Sequence, residues 1–142
     1  MTALNLHYEV SGDDFTRAGE ASGATKATLK RLGFPADVIR RVAIAMYEGE
    51  INMVIHADGG TADVDVEPDL ITITLTDHGP GIPDVEKAMQ EGFSTAPETV
   101  RNLGFGAGMG LPNIKRYTDT LDIQTELGKG TCIRMTIAVP HS

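Results

Sequence analysis

Apolar and polar residues alternate at the start of the chain, with Leu4, Leu6, Tyr8 and Val10 set against Asn5, His7 and Glu9. That period of two predicts a first strand over 4–10 with one buried face, and His7 on the wet side. The period then lengthens. Asp13 or Asp14 is expected to cap a helix reaching about Leu32, with Phe15, Ala18, Ala21 or Ser22, Thr25, Leu29 and Leu32 as its inner stripe. Gly33 stops it, and Pro35 opens a second helix that continues to about Ala57. Val38, Ile39, Val42, Ala43, Ile44, Ala45, Met46, Ile51, Met53, Val54 and Ile55 cover most of that helix's circumference, so it should be largely buried. Asp58-Gly59-Gly60 breaks it, and residues 61–67 pair with 70–76 as a hairpin through Pro68-Asp69. A short helix from Pro83 to about Gly92 and a loop over 93–106, read as mobile, come next. A helix over about 109–118 and two strands, 121–127 and 131–139, complete the order.

Three polar features interrupt this apolar plan. The strand over 70–76 ends in Asp77-His78-Gly79-Pro80-Gly81-Ile82, which places Asp77 at the sheet's edge beside two glycines. Backbone without side chains could lie against a flat ligand there, with the carboxylate accepting a hydrogen bond from an exocyclic amine. An ordinary turn in which Asp77 caps the helix after Pro83 fits the same residues. On the second helix, Glu48, Asn52 and His56 recur every fourth residue and stack along one stripe. Either Glu48 pairs with Arg41 or Lys30 while Asn52 and His56 find backbone partners, or the stripe faces a hydrated Mg²⁺ held partly by phosphates. For His56 alone, a satisfied core histidine is the simpler reading. The third feature is Gly104-Phe105-Gly106-Ala107-Gly108-Met109-Gly110-Leu111, which leads into a helix that Pro112 fits in its first turn. Exposed amides in such a run, followed by a helix N-terminus, suit phosphate oxygens, although a flexible hinge would have the same composition. The spacing matches neither the dinucleotide-binding fingerprint nor a Walker A loop.

Composition narrows the function classes. With 142 residues the chain fits a single domain, 1–142. Cys132 is its one cysteine, which excludes an internal disulfide and a thiolate metal site and suggests a reduced core residue. No apolar run approaches a membrane span, and residues 1–10 lack the pattern of a signal peptide, so a cytoplasmic location is expected. A formal net charge of -8 argues against a nonspecific nucleic-acid or anionic-membrane surface. The absence of Trp weakens base stacking on single strands.

Taken together, the features resemble the Bergerat-type ATP-binding fold of gyrase, heat-shock chaperones, histidine kinases and mismatch-repair ATPases. Within it, length and motif order are similar to bacterial anti-sigma-factor serine kinases and their switch-kinase relatives. The family's Glu-x-x-x-Asn stands here as Glu48 and Asn52, with His56 at a frequent polar position one turn on. Its Asp-x-Gly-x-Gly-Ile box is Asp77, Gly79, Gly81 and Ile82. The second glycine box corresponds to Gly106, Gly108, Gly110 and Leu111, with Met109 inside it, and the final Gly-Thr pair to Gly130 and Thr131. The resemblance implies an α+β fold, a two-layer sandwich whose mixed, mostly antiparallel sheet is covered on one face by helices. It also implies that Asp77 receives the adenine amino group with Thr131 assisting, that Gly79 and Gly81 make room for the base, and that Asn52 coordinates Mg²⁺. Gly106, Gly108 and Gly110 would close backbone amides over the phosphates, and Glu48 would be the general base.

The function so implied is a Mg-ATP-dependent protein serine kinase in a partner-switching pathway, holding a sigma factor or a small antagonist protein. A non-catalytic ATP/ADP-sensing module and a detached ATPase acting on water compete with it. Arg101 is the one basic residue in the loop that would close over the phosphates, so transfer is expected to be slow. Family members often form homodimers through sheet-edge or N-terminal strand contacts, and residues 4–10 fit that role and a monomer's edge strand equally. Neither adenine nor serine is named by the residues themselves.

Overall fold

The computed structural model describes residues 4–11, 19–57, 59–79 and 110–140. The expected helix after Pro83, the loop over 93–106, and Asp13, Asp14, Gly81, Ile82, Gly106, Gly108 and Met109 lie outside the described residues, as does the side chain of His56. The elements run β1 (Leu4–Ser11), α1 (Glu20–Arg31), α2 (Ala36–Ala57), β2 (Gly59–Val66), β3 (Leu70–Asp77), α3 (Gly110–Tyr117), β4 (Thr120–Glu126) and β5 (Gly130–Ala138). The five described strands form one sheet in the order β1-β2-β3-β5-β4, antiparallel at each of these pairings. This is the two-layer α+β architecture expected, with helices on one face, although the described pairings are all antiparallel where a mixed sheet was expected. No helix among the described residues is long and apolar enough to cross a membrane.

Alternation along each strand sorts the two faces. Ala62 and Val64 on β2, Ile71, Ile73 and Leu75 on β3, and Ile133, Met135 and Ile137 on β5 are buried against the helices. Each large side chain so buried contributes about 1.5–3 kcal/mol. The opposite face carries polar rows set by the register, such as His7, Asp63, Thr74, Arg134 and Asp122, and His7 meets Asp63 at 2.7 Å. Cys132 falls on this second face, half-buried, with Thr76 Oγ1 3.9 Å from its sulfur. It is therefore not the core residue its apolar neighbours suggested, because period-two geometry turns it away from Thr131 and Ile133.

Helix α2 is the axis of the packed layer and touches α1, α3, β1, β2, β3 and β5. Its start agrees with the sequence: the carbonyl of Pro35 accepts from Ile39 N at 3.0 Å. The preceding stop is a Schellman turn at Gly33, φ 81°, with Gly33 N donating to Lys30 O at 3.1 Å and Phe34 N to Leu29 O at 3.2 Å. Leu32, expected on the inner stripe, is 53% exposed because it is the C-cap residue at this turn.

The start of α1 differs more. It begins at Glu20 after Gly19, whose φ of 100° breaks any helix running through from Asp13 or Asp14. Gly19 has no side chain to cap with, and the cap comes from α2. Glu50, 1% exposed, accepts hydrogen bonds from Gly19 N at 3.0 Å, Ala21 N at 3.2 Å and Ser22 N at 2.6 Å. A carboxylate at a helix N-terminus satisfies donors that have no intrahelical partner and meets the positive end of the helix dipole. The position of β3 corrects one further expectation. It is the middle one of the five described strands, so Asp77 stands at the end of an inner strand rather than at the sheet's edge.

Candidate nucleotide site

Helix α2, which carries Glu48 and Asn52, packs on β3, which ends in Asp77. The packing is close: a Cβ added to Gly49 would lie 2.1 Å from Leu75 Cδ1. Glycine at this point lets the helix lie against the strand that ends, two residues after Leu75, in Asp77.

At that strand end Asp77 Oδ1 accepts from Gly79 N at 2.9 Å and from Thr131 N at 3.2 Å. The first bond is a carboxylate turn closed on its own backbone, and the second ties β3 to β5. Oδ2 takes part in neither, and it is the oxygen that could accept from a ligand amine. Thr131 is buried, and its hydroxyl meets that of Thr125 at 2.9 Å. Thr125, which sequence reasoning did not single out, also donates to Gly130 O at 3.3 Å. Gly130 is held by geometry alone: its φ is 129°, and a Cβ there would come within 2.1 Å of Asp77 O and 2.9 Å of His78 Cα. Gly130→Ala is expected to destabilise the fold by on the order of 3 kcal/mol, since both strain and a backbone clash apply. It should also weaken nucleotide binding by moving the Asp77 turn, which thermal melts with and without ATP would read.

On α2, Glu48 and Asn52 are half-buried, one turn apart. Glu48 finds its partner on α3, where Asn113 Nδ2 donates to Glu48 Oε1 at 3.5 Å. Burial raises the Glu48 carboxyl above its ordinary value, and the Asn113 bond partly offsets this. Pairing of Glu48 with Arg41 or Lys30 is overturned. Arg41 is taken by the far end of α3, with Nε donating to Tyr117 O at 3.1 Å and a terminal nitrogen 3.2 Å from Asp119 Oδ2. Asp119 in turn accepts from Ala138 N at 2.7 Å, which with Arg41 lowers its pKa despite partial desolvation. Among the described residues no hydrogen bond joins Glu48 or Asn52 to the Asp77 cluster, and the elements that carry them, α2 and β3, pack on each other.

Helix α3 begins at Gly110, the last glycine of the run that starts at Gly104. Leu111 and Ile114 are buried and fix this helix to the core.

A family model described as a histidine kinase-like ATPase domain matches residues 13–137. The chain belongs to the histidine kinase-like ATPase domain family. The serine/threonine-protein kinase RsbT of Bacillus subtilis (strain 168) is 34% identical to this chain over 109 residues, 74% of this chain and 76% of its own. An anti-sigma F factor of Caldanaerobacter subterraneus subsp. tengcongensis is 38% identical over 141 residues, 96% of this chain and 92% of its own. The solved structure of the RsbU and RsbW domains of Rv1364c from Mycobacterium tuberculosis superposes with a TM-score of 0.67, at 14% identity, over 98% of this chain and 33% of that one. That likeness shows the fold: this histidine kinase-like ATPase domain has the helix layer and open sheet of its structural neighbour.

Proposed function

We propose that the chain, 1–142, acts as one Mg-ATP-dependent protein serine kinase unit that regulates a partner-switching pathway through an antagonist protein or a sigma factor. The observation that carries this reading is Glu48, half-buried with a raised carboxyl pKa, one turn before Asn52 on the helix that lies over the Asp77 strand. Relatives named serine/threonine-protein kinase and anti-sigma F factor support the same class.

The residues present fit a nucleotide. Asp77 has one oxygen held by backbone and the other free of those bonds, and Gly130 keeps side-chain atoms away from the strand ends. Asp77 would take the adenine amine with Thr131 beside it, Gly79 and Gly81 would leave room for the base against Ile82, and Gly106, Gly108, Met109, Gly110 and Leu111 would frame the phosphates. Asn52 would hold Mg²⁺, with His56 one turn on. Among the described residues no cluster of three or more His, Cys, Asp or Glu could hold an ion alone, so phosphate oxygens and water would complete its shell. When bound, the ion supplies charge neutralisation at the phosphates.

The step assigned to the protein is a proton transfer. A serine Oγ on the partner bonds to the γ-phosphorus and the bond from that phosphorus to the bridging oxygen breaks. ADP leaves with the electron pair, and Glu48 takes the serine proton. A carboxylate whose pKa burial has raised is a better base than an exposed one, and positioning supplies most of the remainder.

Incubation with γ-labelled ATP and small antagonist proteins tests the reading. Label recovered as phosphoserine on the partner is the expected result. Label found only as inorganic phosphate would replace a kinase by an ATPase acting on water.

A further inference from the structure

Asn113 occupies the first turn of α3, between buried Leu111 and Ile114, and is itself half-buried. Asparagine is a modest helix former, so local propensity does not favour it there. What the position offers is reach: its amide donates across the α2-α3 contact to Glu48 Oε1 at 3.5 Å. Among the described residues this is the one side-chain hydrogen bond that Glu48 receives. We propose that Asn113 is the positioning residue of the phosphoryl-transfer base, holding the Glu48 carboxylate toward the α3 side of the site. The inference rests on the reading of Glu48 as that base.

The chemistry of an amide suits the task. A lysine or arginine in its place would neutralise the carboxylate and depress its basicity, whereas a neutral donor orients one oxygen and leaves the other to accept a proton. The length of the contact suits it too, because hydrogen bonds to a catalytic base are often long until the reacting complex forms. Helix α3 starts at Gly110, the last glycine of the run proposed to frame the phosphates, so the helix that carries the group aiming the base follows that run directly in sequence. Its other end is pinned by Arg41 through the Tyr117 carbonyl and Asp119, which fixes Asn113 relative to α2 from a second point.

A double-mutant cycle tests this. Asn113→Ala should lower kcat for phosphoryl transfer between about 10- and 100-fold with the KM for ATP unchanged, the scale expected when a reacting group is misplaced by about an ångström. The same substitution in a Glu48→Gln background should have no further effect. Equal losses in the two backgrounds, or a change in KM alone, would overturn the proposal. A readout that does not depend on activity separates it from the kinase reading. In the native chain the Asn113 side-chain amide protons should show a displaced NMR resonance and slowed exchange with water, both lost in Glu48→Ala. A resonance that Glu48→Ala leaves in place would refute the contact, whereas a kinase unaffected by Glu48→Gln would refute only the role of the base.

Discussion

Replacing Glu48 by Gln is expected to reduce kcat for transfer to serine by between about 10²- and 10⁴-fold, the usual contribution of a general base. Affinity for ATP should stay nearly unchanged, because Glu48 is assigned to the attacking hydroxyl and not to the nucleotide. The pH dependence follows from the raised carboxyl pKa. Protonated Glu48 cannot accept the serine proton, so the rate should fall as pH drops through that raised value and level off above it. The stability effect has the opposite sense. A carboxyl raised on folding contributes stability that is fully present below its unfolded value and is lost as pH rises through the folded one. At neutral pH the buried charge is therefore a cost, and Glu48→Gln should leave the melting temperature unchanged or slightly higher. A variant that loses transfer while keeping its melting temperature and its ATP affinity would place Glu48 in the chemistry. Loss of all three together would assign it to the fold.

The second large effect is on stability. Glu50→Ala strips the acceptor from Gly19 N, Ala21 N and Ser22 N together, in a place where Glu50 is 1% exposed and water has little entry. Each buried donor left without a partner costs about 1–3 kcal/mol. Partial fraying of the α1 N-terminus should recover some of this, so a loss on the order of 4 kcal/mol is expected. That is a large fraction of the ~5–15 kcal/mol that holds a domain together, and it corresponds to a fall of roughly 10 °C in melting temperature. Glu50→Gln keeps one oxygen and should lose less than half as much. Calorimetric melts of the two variants check the order. Equal, small losses in both would mean that the helix is capped some other way.

Strand and helix positions were legible because local physics decides them. Ile71, Ile73 and Leu75, set two apart, share one face of a strand, and Gly33 with Pro35 marks a stop and a start whatever surrounds them. The strand-end carboxylate and the polar stripe on α2 were visible for the same reason: each breaks a pattern its neighbours keep. What was hidden depends on distant partners. Glu50 caps backbone 28 to 31 residues earlier, and nothing in its own helical turn distinguishes it from Glu48. The usable signal was indirect, a glycine at position 19 where a helix needs a side-chain cap. Cys132 was misplaced because a largely apolar run hides which residues face the helices until the register is known. Asn113 acquires its partner only when α3 packs on α2.

Whether the Asp77 turn and the α2 stripe form one Mg-ATP site, as proposed, is decided by calorimetric titration. ATP and ADP should be measured with and without Mg²⁺ on the native chain, Asp77→Asn and Asn52→Ala. Binding should fall sharply with Asp77→Asn, since an amide presents a donor where the adenine amine needs an acceptor, and should lose its Mg²⁺ dependence with Asn52→Ala. Failure of the native chain to bind either nucleotide would rule out this site and leave a fold whose partners must be sought on its surface.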